Sequence, residues 1–268
     1  MPIPFSLRYC LLTLGLTIII LTVARPVWAV RPFITDDACV VGYDNGQIET
    51  SLRIDKSRYL NLNLGICGLT EDLQLTVGWT DGYYREEPTA GWSLTGPLLQ
   101  LKYLVLESKP LSYPGVALVA GATPPWGWGG FTPTVWGEFA FLALTETVMD
   151  RDRLLVHGNV GISVNGTKGT FTWGVGTQIK VWKGLCAIGE VVSADPYAAN
   201  PSGGGAFQTG FRYIFSDNFQ LDAAYGNGLW GNPRPHSWVV FGLTLVFDSI
   251  LKRSKSPNTN LKQQPGTH

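Results

Sequence analysis

Ser237-Trp-Val-Val-Phe-Gly-Leu-Thr-Leu-Val-Phe247 is the stretch on which the fold turns. As a strand it puts Val239, Phe241, Leu243, Leu245 and Phe247 on one face and Trp238, Val240, Gly242, Thr244 and Val246 on the other, because side chains alternate with period two. The first face suits lipid. The second is smaller and less uniformly apolar, as a barrel interior would be. A soluble sandwich can end in such a strand too, so the preceding segments decide.

Those segments read as strands near 46–54, 59–67, 73–80, 94–107, 115–123, 136–148, 154–164, 170–181, 185–194, 206–215, 219–227 and 237–247. The number is even, as single-chain bacterial outer-membrane barrels require. Connections alternate. On one side they are tight and polar (Thr70-Glu-Asp72, Asp150-Arg-Asp-Arg153, Trp182-Lys-Gly184, Ser216-Asp-Asn218, and a longer one at 108–114), and on the other they are longer and rich in Gly, Pro and aromatic residues (81–92, 124–135, 195–205, 228–236). Two hairpins, 55–58 and 165–169, are short exceptions on the second side. That pattern predicts short periplasmic turns, long external loops and both termini in the periplasm.

Face patterning supports the same fold. Leu60, Leu62, Leu64 and Ile66 alternate with Asn61, Asn63, Gly65 and Cys67, and Leu73, Leu75, Val77 and Trp79 alternate with Gln74, Thr76, Gly78 and Thr80. Phe171, Trp173, Val175 and Ile179 stand against Thr172, Gly174, Gly176, Gln178 and Lys180; Phe207, Phe211, Tyr213 and Phe215 stand against Gln208, Gly210 and Arg212. A soluble half-buried sheet shows this alternation as well. Here nearly every strand has it, and the polar faces carry few of the charges that a water-exposed surface carries. The greasy faces are expected to meet outer-membrane lipid.

Composition agrees. Of 268 residues only 15% are charged and 12% are aromatic, with 10 Trp against 2 Met, which fits aromatic residues ringing a membrane boundary. The formal charge is zero, and without Arg8 and Arg25 of the leader 18 basic residues face 20 acidic ones. No basic patch argues for nucleic acid. Residues 1–29 read as a signal peptide, with Arg8 in a positive n-region, an uncharged run from Leu11 to Val23, and Val27-Trp28-Ala29 before the cut. An uncleaved anchor is the competing reading, but a spanning helix needs about 20 apolar residues. After cleavage Cys39, Cys67 and Cys186 remain, at spacings that suggest neither a disulfide framework nor a metal site. Residues 30–45 are expected to form an N-terminal periplasmic segment, 46–247 the barrel, and 248–268 a polar C-terminal tail.

Two resemblances extend this reading. The spacing Gly242-x-x-Leu245-x-Phe247 is similar to the C-terminal signal by which outer-membrane barrels are recognised, which implies the barrel-assembly machinery as a partner. Arg31-Pro-Phe-Ile-Thr-Asp-Asp-Ala38 with Gly46-Gln-Ile-Glu49 resembles the opening of the bacterial proteins grouped under the MetA pathway of phenol degradation, commonly labelled outer-membrane transporters. The likeness continues through Leu101-Lys-Tyr103, 115–124, Gly189-Glu190, Gln208-Thr-Gly-Phe-Arg-Tyr213 and Gln220-Leu-Asp-Ala-Ala224. The tail past Phe247 departs from the many barrels that stop at the last strand. The resemblance implies a transporter-like barrel and brings no catalytic residues.

One strand face offers candidate catalytic side chains. His157, Asn159 and Ser163 share one strand face, as an outer-membrane lipid hydrolase would want, yet His157 and Ser163 should be about 20 Å apart on that strand. No catalytic residue, metal or cofactor is expected, and His236 reads as a solvated loop residue. Asp36 and Asp37 either bind a cation or form a turn packing the N-terminal segment against the periplasmic mouth. Trp126, Trp128 and Phe131 either stack on a solute or belong to the external aromatic girdle. Glu190, Arg212 and Asp222 fall on the inward parity of consecutive strands. They suggest a charged lumen cluster that Glu49, Lys102, Glu138 and Lys180 extend, serving solute selection or bracing. The expected architecture is one antiparallel transmembrane barrel of about twelve strands with a narrow polar lumen, passively passing a small-molecule solute. The alternatives are a structural or surface-interaction barrel with a filled lumen, and a soluble periplasmic binding barrel.

Overall fold

The computed structural model describes residues 33–86, 90–130, 132–149, 153–195, 204–232 and 234–248. The proposed signal peptide, nearly all of the proposed tail and Phe131 lie outside them. Among the described residues there is no helix; thirteen strands form one sheet. They are β1 (Gly46–Asp55), β2 (Arg58–Gly68), β3 (Leu73–Tyr84), β4 (Gly91–Leu106), β5 (Gly115–Thr123), β6 (Gly127–Trp128), β7 (Gly137–Met149), β8 (Leu154–Asn165), β9 (Lys168–Trp182), β10 (Leu185–Ser193), β11 (Gly205–Ser216), β12 (Phe219–Trp230) and β13 (Trp238–Phe247).

Each long strand pairs antiparallel with its neighbours in sequence, β5 pairing directly with β7, and the sheet closes where β13 pairs with β1 from Gly46↔Phe247 to Asp55↔Trp238. The two-residue β6 adds only Leu94↔Trp128 and Thr95↔Gly127 to the far end of β4. The result is a closed twelve-stranded barrel, which leaves no exposed edge. β1 begins and β13 ends at the end carrying the short turns. The expected long loop after β3 is shorter than its sequence suggests, because the ladder continues through Tyr83↔Trp92 and Tyr84↔Gly91.

On most strands the expected apolar face points out. Phe171, Val175, Phe211 and Phe241 are exposed, whereas Thr172, Gln178, Arg212, Gly242 and Thr244 are buried. Aromatic side chains collect near both rims of the outer wall: Trp92, Trp128 and Phe171 toward the long loops, Tyr103, Trp182 and Phe215 toward the short turns. β2 is the exception and corrects the sequence reading. Its leucine-rich face points inward, since the ladder sets Leu64 opposite Glu49 and Ile66 opposite Gln47, both buried. Leu64 and Ile66 join Leu98, Val119, Phe139 and Phe141 in an apolar cluster inside the barrel. The displaced polar face is satisfied on the outer wall, where Thr50 donates to Asn63 (2.8 Å) and Asn63 donates to Asp81 (2.9 Å). The inner wall therefore carries apolar patches among its polar groups, one where Leu64, Leu98, Val119 and Phe139 meet and another around Ile188, Val192, Trp238 and Val240, and is not uniformly polar.

Candidate functional site: the occupied lumen

Residues 33–41 lie inside the barrel, and residues 42–45 turn beside Gly68 at its short-turn end with Tyr43 exposed. Phe33, Thr35, Asp37, Ala38 and Val41 are buried, and the segment runs past β10, β8, β7, β4 and β3 before turning into β1. It adds no strand to the sheet, so its backbone must be satisfied by other groups. The wall supplies side chains. Glu190 accepts from the amides of Ile34 (2.9 Å) and Thr35 (2.9 Å), Thr145 Oγ1 from Ala38 (2.9 Å), and Gln74 Oε1 from Val41 (3.1 Å). Asn159 acts as a strand neighbour would: its Oδ1 accepts from the Asp36 amide at 2.6 Å and its Nδ2 donates to the Asp36 carbonyl at 2.8 Å.

Lys102 is the strongest tether. Its buried ammonium meets Asp36 Oδ1 at 2.8 Å, Asp37 Oδ1 at 3.2 Å and the Cys39 carbonyl at 3.2 Å, three acceptors for its three protons. The two aspartates thus close on a lysine ammonium within the lumen, where Asp37 Oδ1 also accepts from the Cys39 amide at 3.0 Å in a local turn, and among the described residues no group of side chains is arranged for a metal. Burial pushes the Asp37 carboxyl up from the ordinary carboxylate range to about 6, although Lys102 pulls it down. Burial also pushes the Cys39 thiol up, which makes it inert. Cys39, Cys67 and Cys186 are free thiols.

Glycine makes room for the segment. A Cβ on Gly174 would stand 2.6 Å from Thr35 Oγ1, so β9 can carry no side chain where Thr35 crosses it. Phe33 packs beside the His157 ring, 6.0 Å between centroids, and the Arg212 guanidinium lies 6.0 Å from the Phe33 ring centroid.

The expected charged cluster divides. Arg212 and Asp222 are cross-strand partners with Nε 2.6 Å from Oδ1, and Arg212 Nη1 donates to Gln178 Oε1 at 2.7 Å. Glu190 stands opposite Gln208, which donates to it at 3.2 Å, while the β11 partner of Cys186 is Arg212; Glu190 therefore belongs to the segment's anchorage. Glu49 is buried and accepts from Gln47. Lys180 keeps inward parity but sits exposed at the short-turn mouth. Glu138 is a correction: Phe139 and Phe141 take the inward positions of β7, leaving Glu138 exposed on the outer parity. Trp126 and Trp128 are exposed at the long-loop rim, Trp126 edge-on to Trp136 at 6.4 Å. His157 Nδ1 lies 3.0 Å from Thr145 Oγ1, and no bond joins it to Ser163 among the described residues. The Ser-His-Asn set is not assembled.

Against known proteins, the family described as Uncharacterised conserved protein UCP029691 matches residues 104–247. The chain belongs to that family. No curated protein matches the sequence. Among solved structures the chain is similar to the COG4313 outer membrane channel from Pseudomonas putida F1, with TM-score 0.55 and 12% identity over 82% of this chain and 100% of that one. It is also similar to the KdgM porin, with TM-score 0.53 and 11% identity over 74% of this chain and 98% of that one. At such identities the likeness establishes the fold, a closed barrel of the outer-membrane type.

Proposed function

We propose that the protein is an outer-membrane channel for small solutes whose lumen is closed in this state by residues 33–45. The observation that carries the reading is how this segment is held: by side chains of the barrel wall rather than by a strand ladder. Each such bond contributes about 1 kcal/mol net, and those to the charged Glu190 and Lys102 about 1.5–3 kcal/mol. The segment can therefore leave while the barrel stays closed on itself. The apolar outer wall with aromatic rims supports placement in a bilayer, with the short turns and N-terminus toward the periplasm. The likeness to the KdgM porin and to the COG4313 outer membrane channel, and the resemblance to MetA-pathway proteins, point the same way. Passage would be passive, the lumen's polar groups replacing water contacts.

The other reading, a structural barrel with a filled lumen, is favoured by one observation: Gln178, Arg212 and Thr244 on the inner wall are almost wholly buried. Planar-bilayer recordings of the purified full-length protein separate the two. Discrete conductance steps are expected for a channel; a folded protein that inserts and never conducts is the structural barrel.

A further inference from the structure

Arg53 is an inner-wall cation to which the N-terminal segment makes no bond among the described residues. It lies on β1 with the inward parity of Gln47 and Glu49, two residues from the long-loop end of its strand. Its guanidinium carbon is 4.0 Å from the centroid of the Trp238 ring. That ring is fixed: Trp238 is buried, its Nε1 donates to Gln208 Oε1 at 2.8 Å, and Gln208 in turn donates to Glu190. Gly226 leaves the space the indole fills, since a Cβ there would stand 2.2 Å from it. Arg53 is thus held on a rigid aromatic platform, by an interaction that leaves its five N–H donors unspent.

The nearby carboxylates do not take those donors. Asp55, two residues along the strand, accepts from the amides of Ser57 and Arg58, from the Ser57 hydroxyl and from Arg58 Nε at 3.1 Å. Asp195 acts on Arg53 through space, but no ion pair joins them. Arg53 Nε is buried without a hydrogen-bond partner, while the residue as a whole stays partly exposed. A desolvated guanidinium edge without an acceptor is a costly arrangement for a protein to keep without use. It matches the two oxygens of a carboxylate.

We propose that Arg53, stacked on Trp238 at the long-loop end of the lumen, is a binding position for small organic carboxylates. The proposal rests on the channel reading for its purpose and names the class of solute that channel would favour. The N-terminal segment reaches the same part of the wall, where Ile34 and Thr35 bond to Glu190 and Phe33 shares an apolar cluster with Trp238, but it makes no bond to Arg53.

The test is isothermal titration of the full-length protein in detergent with benzoate, a planar carboxylate, and with benzamide, its neutral isostere. Benzoate is expected to bind, and benzamide and the Arg53→Gln variant to show affinity lower by about tenfold or more, the scale of one lost charge-assisted contact. Arg53→Lys keeps the charge without the fork and should fall between. Migration of unboiled samples on gels confirms that each variant is a folded barrel. Equal binding of benzoate and benzamide, or undiminished binding by Arg53→Gln, overturns the proposal. Benzoate binding by a protein that never conducts in a bilayer overturns the channel reading and leaves the site standing. Conductance without benzoate binding does the reverse.

Discussion

Arg212 and Asp222 face each other across the β11–β12 hairpin with Nε 2.6 Å from Oδ1, deep enough in the wall that water reaches neither charge. Removing one partner of a buried pair leaves the other uncompensated, at about 3–5 kcal/mol. Gln178 and the ring of Phe33 lie beside Arg212, an arrangement that suits a brace of the wall while the segment is docked. Arg212→Ala should lower the melting temperature without changing ion preference in bilayers. Changed selectivity at unaltered stability would place Arg212 in the conducting path.

The two faces of the wall can be tested by charge. Val175 is exposed on the outer parity of β9, and Val175→Lys should destabilise the barrel in a bilayer by about 2–4 kcal/mol if it lies near the midplane. Leu64→Lys should also destabilise, but through the inner apolar cluster, and to the same degree in detergent and in lipid. Gln178→Lys, benign from sequence parity alone, should be harmful, because it sets a second cation against Arg212. Chemical unfolding in lipid vesicles and in detergent checks all three.

Acid should favour the closed state. Asp37 has its carboxyl raised to about 6 when the segment is docked, whereas a solvated aspartate titrates near 3.8. Between these values the docked state binds more protons than the released one. Docking is therefore strengthened as pH falls through about 6, and that advantage is lost as pH rises through it. The shift corresponds to about 3 kcal/mol, shared with the Lys102 and Asp36 charges beside it. Open probability recorded from pH 7 down to pH 4 should fall, and the Asp37→Asn variant should lose most of that dependence. An open probability that rises with acid would mean that Asp37 does not govern docking.

Strand positions were legible because period-two alternation and turn chemistry are local properties. The Arg212–Asp222 pair was legible for the same reason: both residues stand at equal distance from the short turn at 216–218. Which face of a strand points inward is not local. Asn61 and Asn63 read as lumen residues, yet the ladder from β1 turns them out, where Thr50 and Asp81 satisfy them. Glu138 failed similarly, its neighbours Phe139 and Phe141 being drawn into the apolar cluster within. The lumen segment left a fainter trace. Lys102 and Glu190 on inward parity needed partners, and Asp36-Asp37 just before the first strand was an available one, but contacts spanning 66 and 156 residues have no local signature.

Closure of the lumen by residues 33–45 is tested most directly by releasing the Lys102 tether. Single-channel recordings of the wild type are compared with Lys102→Met, which removes the ammonium shared by Asp36, Asp37 and the Cys39 carbonyl. If the segment is the closure, the variant should show open probability raised by about tenfold or more with unchanged gel migration of the folded barrel. Identical open probability and conductance in the two proteins would contradict a closing role for the segment.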